Sequence, residues 1–324
     1  MIDKIEVSVI CNTYNHEKYI RDALESFISQ KTTFKFEIIV HEDKSTDSTA
    51  SIVKEFEDRY PDIIKPIYEE ENQYSKHIGI TRCIDMPLAK GKYIAFCEGD
   101  DFWSDEYKLQ KQFEILENNT NIVMCCHSTE RIDAETRKKL GFLCASRNDD
   151  GLIDYTDCLS ESNFPHLSSM FFRKDIYMKQ PDWFFHLPVG DYPLRAFFLY
   201  SGNIYYVNKV MSCYRVMSSS SWSLTYRRNF EYRYQANKEM NEFLRKYDNF
   251  TDRIYHEYIE ELIQNKTMKT CIYTGHFEEA RQLSNYKNMK IYMKLLIFIG
   301  KYCPKIVLSA LQLRTSLRIK VGKA

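Results

Sequence analysis

Glycine is scarce in this chain, ten residues in 324, and none falls in Asn12–His16, the polar segment after the first strand-like run. A sugar nucleotidyltransferase usually carries a glycine-rich loop at that point, so that class fits poorly. No apolar run approaches the about 20 residues needed to span a bilayer, so an integral membrane protein is not expected. Met1–Lys4 leads straight into a strand pattern, so no secretory signal is expected ahead of the fold. The ten cysteines include no Cys-x-x-Cys pair, and Cys125 and Cys126 are adjacent, a spacing poorly suited to a metal site. Cys11, Cys97 and Cys125 lie inside apolar runs and read as reduced core residues of a cytoplasmic protein. Net charge is missing too: 45 basic and 45 acidic residues cancel, so no global field draws the chain to nucleic acid. There is no internal repeat, and no low-complexity segment beyond Ser218–Ser221, which reads as a loop.

What is present is an ordered, core-rich pattern. A hydrophobic fraction of 44% with 28% charged residues excludes disorder. Strand and helix signals alternate over the first hundred residues. Glu6–Cys11, Phe36–Val40, Ile63–Tyr68 and Tyr93–Cys97 are short apolar runs suited to buried strands. Between them, Glu17–Gln30, Ser48–Tyr60 and Ile78–Ala89 place apolar residues at helical spacing. This predicts an α/β fold with a mostly parallel central sheet flanked by helices. Ligands of such sheets bind beyond the carboxyl ends of the strands, which singles out Asn12–His16, His41–Lys44 and Glu98–Trp103. Past Asn121 the pattern changes, with strands expected at Ile122–Ser128, Leu167–Arg173, Ile204–Val207 and Ser212–Val216, and a helix opening at Gly190-Asp191. From about Thr225 the chain reads as helical.

Glu98-Gly99-Asp100-Asp101 puts three acids within four residues at a strand end. Like charges crowded near a core call for a positive counterpart, and a hard divalent cation with oxygen ligands supplies one. An acidic turn capping the next helix is the plainer reading. Asp43, after the second strand, is placed to contact a ribose hydroxyl or a base N–H, or to cap a turn. Tyr14 is placed to stack on a base, or to pack as an ordinary aromatic.

Ser8–Asn15 (SVICNTYN), Glu37–Thr49 (EIIVHEDKSTDST), Ala89–Ile94 (AKGKYI) and Glu98–Trp103 (EGDDFW) together resemble the family 2 glycosyltransferases of GT-A fold, of the kind that build bacterial surface polysaccharides. The resemblance covers roughly residues 5–220. It implies a GT-A Rossmann-like sheet, a nucleotide-sugar donor linked to uridine or thymidine diphosphate, and bound Mn2+ or Mg2+. By residue, it implies Asn12 and Tyr14 at the base pocket and Asp43 on the nucleoside. It also implies Arg82 near the donor phosphates, Asp100 at the ribose or metal shell, and Asp101 as metal ligand. Glu98 stands where many members have Asp.

Gly190–Val216 resembles the family's acceptor-side segment, which makes Asp191 the expected general base of a single in-line, inverting transfer, although from local sequence alone a helix cap fits. After the Tyr214-Arg215 pair many relatives carry a histidine; here it is Met217, and His166 or His127 is the candidate substitute. No Gln-x-x-Arg-Trp motif of processive relatives is present, so single addition is expected. The expected organisation is a GT-A catalytic domain over 1–222, with a nucleotide-binding half (1–120) and an acceptor half (121–222), then a helical, basic extension over 223–324. From Lys287 onward there are nine basic residues and no acid. That pattern suits contact with a membrane surface, serving a lipid-linked sugar acceptor at the cytoplasmic face, or else a helical pair packed on the catalytic domain or in a dimer interface. The rival to an enzyme is a non-catalytic subunit that binds a sugar nucleotide.

Overall fold

The computed structural model describes residues 4–320 apart from 77–78, 145–148, 161–163, 186–189, 217–225, 227–228, 284–285 and 287–288. The chain divides into two compact units, Met1–Ser220 and Ser221–Ala324.

In the first unit, strands β1 (Ile5–Thr13), β2 (Lys35–Glu42), β3 (Ile64–Tyr68) and β4 (Tyr93–Phe96) run parallel, with β1 between β2 and β4. Helices α1 (Ile20–Ile28) and α2 (Thr49–Arg59) make the first two crossovers; the third ends in a π-turn (Thr81–Asp85) and α3 (Met86–Leu88). The two-residue period of a strand explains why β1 needs cover on both faces. Val7, Val9 and Cys11 enter one core with Ile20, Leu24, Phe27, Val53 and Phe56, whereas Ile10 enters the opposite core with Ile39, Met86 and Ile94. Such double burial is what continuous apolar strands require.

Beyond β4 the sheet changes direction. The chain passes through β5 (Phe102–Trp103), α4 (Lys108–Asn118), β6 (Ile122–Asp133), β7 (Lys139–Leu143), β8 (Gly151–Leu152) and α5 (Tyr155–Cys158). It continues through β9 (Phe171–Arg173), α6 (Lys174–Tyr177), α7 (Asp191–Ser201) and β10 (Asn203–Val216). β9 lies antiparallel between β4 and β6, and β10 runs parallel to β6. Parallel pairing therefore holds in β1–β4 and in β6 with β10, and one short reversed strand joins the two sets.

Three expected strands take another form. Leu167–Ser169 is a 3₁₀ turn, because the His166 ring nitrogen accepts from the Ser168 N–H, and only Phe171–Arg173 is extended. Ile204–Val207 and Ser212–Val216 are ends of the single strand β10, whose register on β6 shifts between Val207 and Ser212. Such a bulge lets Asn208 and Lys209 interrupt the apolar pattern without ending the strand. Ile78, in the expected third helix, lies outside the described residues.

The second unit contains α8 (Phe230–Phe250), α9 (His256–Thr274), α10 (Phe277–Gln282), α11 (Ile291–Tyr302) and α12 (Pro304–Lys320). Its core gathers Tyr234, Met268, Cys271, Phe277, Ile297, Val307 and Leu311. All ten cysteines are free thiols, and eight of them are buried.

Candidate active site

Because β1, β2 and β4 are parallel, their carboxyl ends share one edge of the sheet, and the three polar segments meet there. The turn after β4 is tied to β1 by the Cys97 N–H on the Ile10 carbonyl (3.1 Å) and the Gly99 N–H on the Asn12 carbonyl (2.9 Å). Gly99 is required by closeness: a Cβ there would lie 2.6 Å from Thr13 Oγ1 and 3.0 Å from His16 Nδ1. The turn gathers Glu98, Asp100 and Asp101 so that one carboxylate oxygen from each lies within 4.8 Å of the others.

Arg215, at the end of β10, fixes this turn from the other side. Its backbone N–H donates to Asp101 Oδ1 (2.8 Å), Nη1 donates to the Asp100 carbonyl (2.7 Å), and Nη2 donates to the Asp22 carboxylate. Its guanidinium lies over the Phe102 ring, 4.6 Å from the centroid. Two imidazoles flank the acids. His16 Nε2 is 4.0 Å from Asp100 Oδ2, and His166 Nδ1 is 3.8 Å from Asp101 Oδ2.

Burial, then the charge of Asp100, raises Asp101 well above the usual carboxylate range despite the opposing Arg215 N–H. Glu98 keeps an exposed edge, yet the protein crowding its carboxyl, then the charges of Asp100 and Asp191, push it up to about 8. Burial pushes His166 down to about 4, so near neutral pH its ring adds no positive charge. His166 Nδ1 is instead bonded to Ser168 Oγ (2.8 Å), and the ring stacks on Tyr214 at 4.3 Å. His127, the other candidate substitute, is enclosed in the core with Nδ1 on the Ser128 carbonyl at 2.8 Å. Met217 lies outside the described residues. The acids are thus short of compensating charge, and an all-oxygen donor set at this spacing fits a hard divalent cation such as Mn2+ or Mg2+.

Asp191 is the first residue of α7, with Gly190 in the cap position. It is half-buried, and it lies near enough for its charge to act on both Glu98 and His166.

The residues expected to contact the donor are held separately. Asn12 ends its side chain on Thr81 Oγ1 (3.1 Å), leaving its buried Oδ1 without a partner. Asp43 is 3% exposed and accepts from the N–H groups of Gln73 (2.6 Å) and Tyr74 (3.0 Å), so it also anchors the segment after β3. Tyr14 is exposed. Arg82 donates to the carbonyls of Tyr177 (3.3 Å) and Met178 (2.9 Å) and lies over the Phe185 ring; its described contacts are there and not with the acidic turn.

A family model described as glycosyl transferase family 2 matches residues 8–178, just over half of the chain. The chain belongs to the family 2 glycosyltransferases. The chain is 32% identical over 232 residues to an uncharacterized protein of Mycobacterium tuberculosis, a match that covers 69% of this chain and 63% of that protein. It thus spans less than two thirds of that relative's length. It is 37% identical over 112 residues (34% of this chain, 41% of the relative) to the Escherichia coli UDP-Glc:alpha-D-GlcNAc-diphosphoundecaprenol beta-1,3-glucosyltransferase WfaP. Among solved structures, the mannosyltransferase PcManGT of Pyrobaculum calidifontis, in complex with GDP-Man and Mn2+, superposes with a TM-score of 0.55 at 15% identity. That superposition covers 97% of this chain and 87% of that one, and it shows the shared GT-A fold.

Three side chains had roles that went unread in the sequence. Arg215 was visible as half of a Tyr-Arg pair, but its hold on two acids 114 and 115 residues away was not. His16 closed the named segment Asn12–His16, without a reason to lie near Asp100. His41, fully buried, bonds Asp85 through Nδ1 at 2.9 Å beneath Asp43, and that bond raises it against the opposing effect of burial. His41 opens the segment His41–Lys44 singled out above, but nothing in the sequence tied it to Asp85.

Proposed function

We propose that this protein is a metal-dependent, inverting glycosyltransferase that moves one sugar from a UDP- or dTDP-linked donor onto an acceptor hydroxyl in surface-polysaccharide or glycolipid synthesis. The observation that carries the reading is the convergence of Glu98, Asp100 and Asp101 within 4.8 Å of one another, with Asp191 near enough for its charge to act on Glu98. Residues 1–120 would take the nucleotide, and residues 121–222 the acceptor. Asn12, Tyr14 and Asp43 would line the nucleoside pocket, where the unpartnered Asn12 Oδ1 is suited to accept from a base. Arg82 would have to leave the Tyr177 and Met178 carbonyls to reach donor phosphates.

Asp101 would hold Mn2+ or Mg2+, with Asp100 and Glu98 contributing oxygens. When bound, such a cation neutralises charge that builds on a departing diphosphate. The protein's own part is twofold. Arg215 keeps the Asp101 and Asp100 groups in position through its N–H and guanidinium donors. Asp191 accepts the acceptor hydroxyl proton on a carboxylate oxygen as the hydroxyl oxygen bonds the anomeric carbon and the nucleoside diphosphate leaves, with no covalent enzyme intermediate. The acceptor is proposed to be a sugar or a lipid-linked sugar; the E. coli relative, named for a diphosphoundecaprenol-linked acceptor, supports the second. The enzyme would then work as a peripheral protein at the cytoplasmic face of the membrane. Donor turnover measured with Asp191→Asn tests the base: donor binding kept and turnover lost supports it, whereas unchanged turnover excludes Asp191.

A further inference from the structure

Helix α11, in the second unit, is apolar on nearly all sides, a pattern that in water belongs to a fully covered helix. Only one side of it is covered. Ile297 and Gly300 are buried in that unit's core, and a Cβ at Gly300 would come within 2.5 Å of the Phe277 ring, so the inner face is in tight contact. The opposite arc carries Ile291, Tyr292, Leu295, Phe298, Ile299 and Tyr302, all exposed, with Ile291 at 77% and Tyr302 at 65%. At 100° per residue these six side chains fall within about a third of the helix circumference. α12 repeats the pattern: Val307 and Leu311 are buried while Ile306 and Leu313, seven residues apart, stand out at 67% and 63% exposed.

Uncovered apolar surface of this extent calls for a partner, and the charge around it selects which kind. Lys294 and Lys301 border the α11 arc on one side by helical position, Lys301 also pairing with Glu278 at 2.9 Å, and Lys290 and Lys305 are exposed at the two ends of the helix. From residue 287 to 324 the sequence holds no acid at all. A second copy of the same face would bring lysines against lysines. An anionic bilayer offers hydrocarbon to the arc and negative headgroups to its border. The two tyrosines suit the boundary between those layers. Twelve residues of α11 reach only about 18 Å, well short of the ~30 Å hydrocarbon core, and no described helix is long and apolar enough to cross a membrane. The helix must therefore lie in the plane of the surface.

We propose that the exposed apolar face of α11 and α12 is an in-plane docking surface for an anionic lipid bilayer. This deepens the membrane-peripheral part of the function proposed above by naming the surface it rests on and the class of lipid. The test uses the full chain without donor or acceptor, so its outcome is independent of whether sugar transfer occurs. Co-sedimentation is measured with phosphatidylcholine vesicles containing about one third phosphatidylglycerol, and with phosphatidylcholine alone. Binding is expected to the anionic vesicles only, and to weaken with salt. The double variant Leu295→Glu/Phe298→Glu, at positions 53% and 55% exposed, is expected to lose at least about tenfold of that binding with an unchanged circular dichroism spectrum. Lys290→Gln and Lys305→Gln, which leave the apolar arc intact, should each weaken it about fivefold. No binding to anionic vesicles, or equal binding to neutral ones, would overturn the proposal. So would a solution dimer that the double variant converts to monomer, since the face would then be an interface between copies.

Discussion

The acidic turn of the first unit and the paired helices of the second depart from ordinary folding in opposite ways. One gathers charge where water is scarce; the other leaves large apolar side chains in water. Asp101 is 1% exposed beside two further acids, while Ile291 and Ile306 are about two thirds exposed or more. Folding alone favours neither arrangement, since crowded carboxylates repel and exposed hydrocarbon forgoes burial energy. Each would become favourable with something from outside the chain, proposed above as a divalent cation and a diphosphate for the turn and a lipid surface for the helices. Residues kept against stability are where function is most usefully sought.

The largest expected effect lies at the turn. Asp101→Ala should lower sugar transfer by about 10³-fold or more, because no other carboxylate there is held by the Arg215 N–H, and steady-state transfer assays would read it. Asp191→Asn should lower kcat by about 10²–10³-fold while donor affinity is kept, a split that a capping role would not give. Arg215→Met should cost about 3 kcal/mol in a denaturant titration, because it leaves the Asp100 carbonyl and the Asp101 carboxylate's neighbourhood without a buried cation.

A pH-dependent effect comes from Lys108, which is fully buried on α4, bonded to Gln112 Oε1 at 2.8 Å and stacked 4.2 Å from the Trp103 ring. Burial pushes its ammonium down to about 7. The unfolded chain keeps that proton up to about pH 10.5. Between these values the unfolded state binds more protons, so this group makes the fold more stable as pH rises from about 7 toward 10.5. Below about 7 both states are charged and the full penalty of burying the ammonium applies. Lys108→Met should flatten that slope in melting curves taken across this range. Smallest of all, Leu295→Glu/Phe298→Glu should leave stability within about 0.5 kcal/mol, which separates the docking face from the fold itself.

How far the sequence revealed these regions follows from how local each signal was. β1, β2 and β4 could be read because each is a short run of β-branched or aromatic residues, and the polar segments behind them had to converge once the strands were parallel. The acids of 98–101 needed only proximity in the chain. β9 and β10 were harder. His166 turns three residues of an apolar stretch into a 3₁₀ turn, and a register shift hides the continuity of β10. Arg215 and His41 act through partners far away in sequence, which no spacing rule reports. The exposed arc of α11 was legible only as an apolar, basic tail; which side faces outward is decided by Phe277 packing on Gly300.

The most direct test of the account is the melting temperature of the full chain with a panel of nucleotide sugars, with and without Mn2+, repeated on Asp101→Ala. A ligand that binds only the folded state raises that temperature. The account predicts stabilisation by a UDP- or dTDP-sugar that needs Mn2+ and disappears in the variant. No shift with any donor at saturating concentration, or an equal shift in Asp101→Ala, would contradict the assignment of the acidic turn as the site where metal and donor meet.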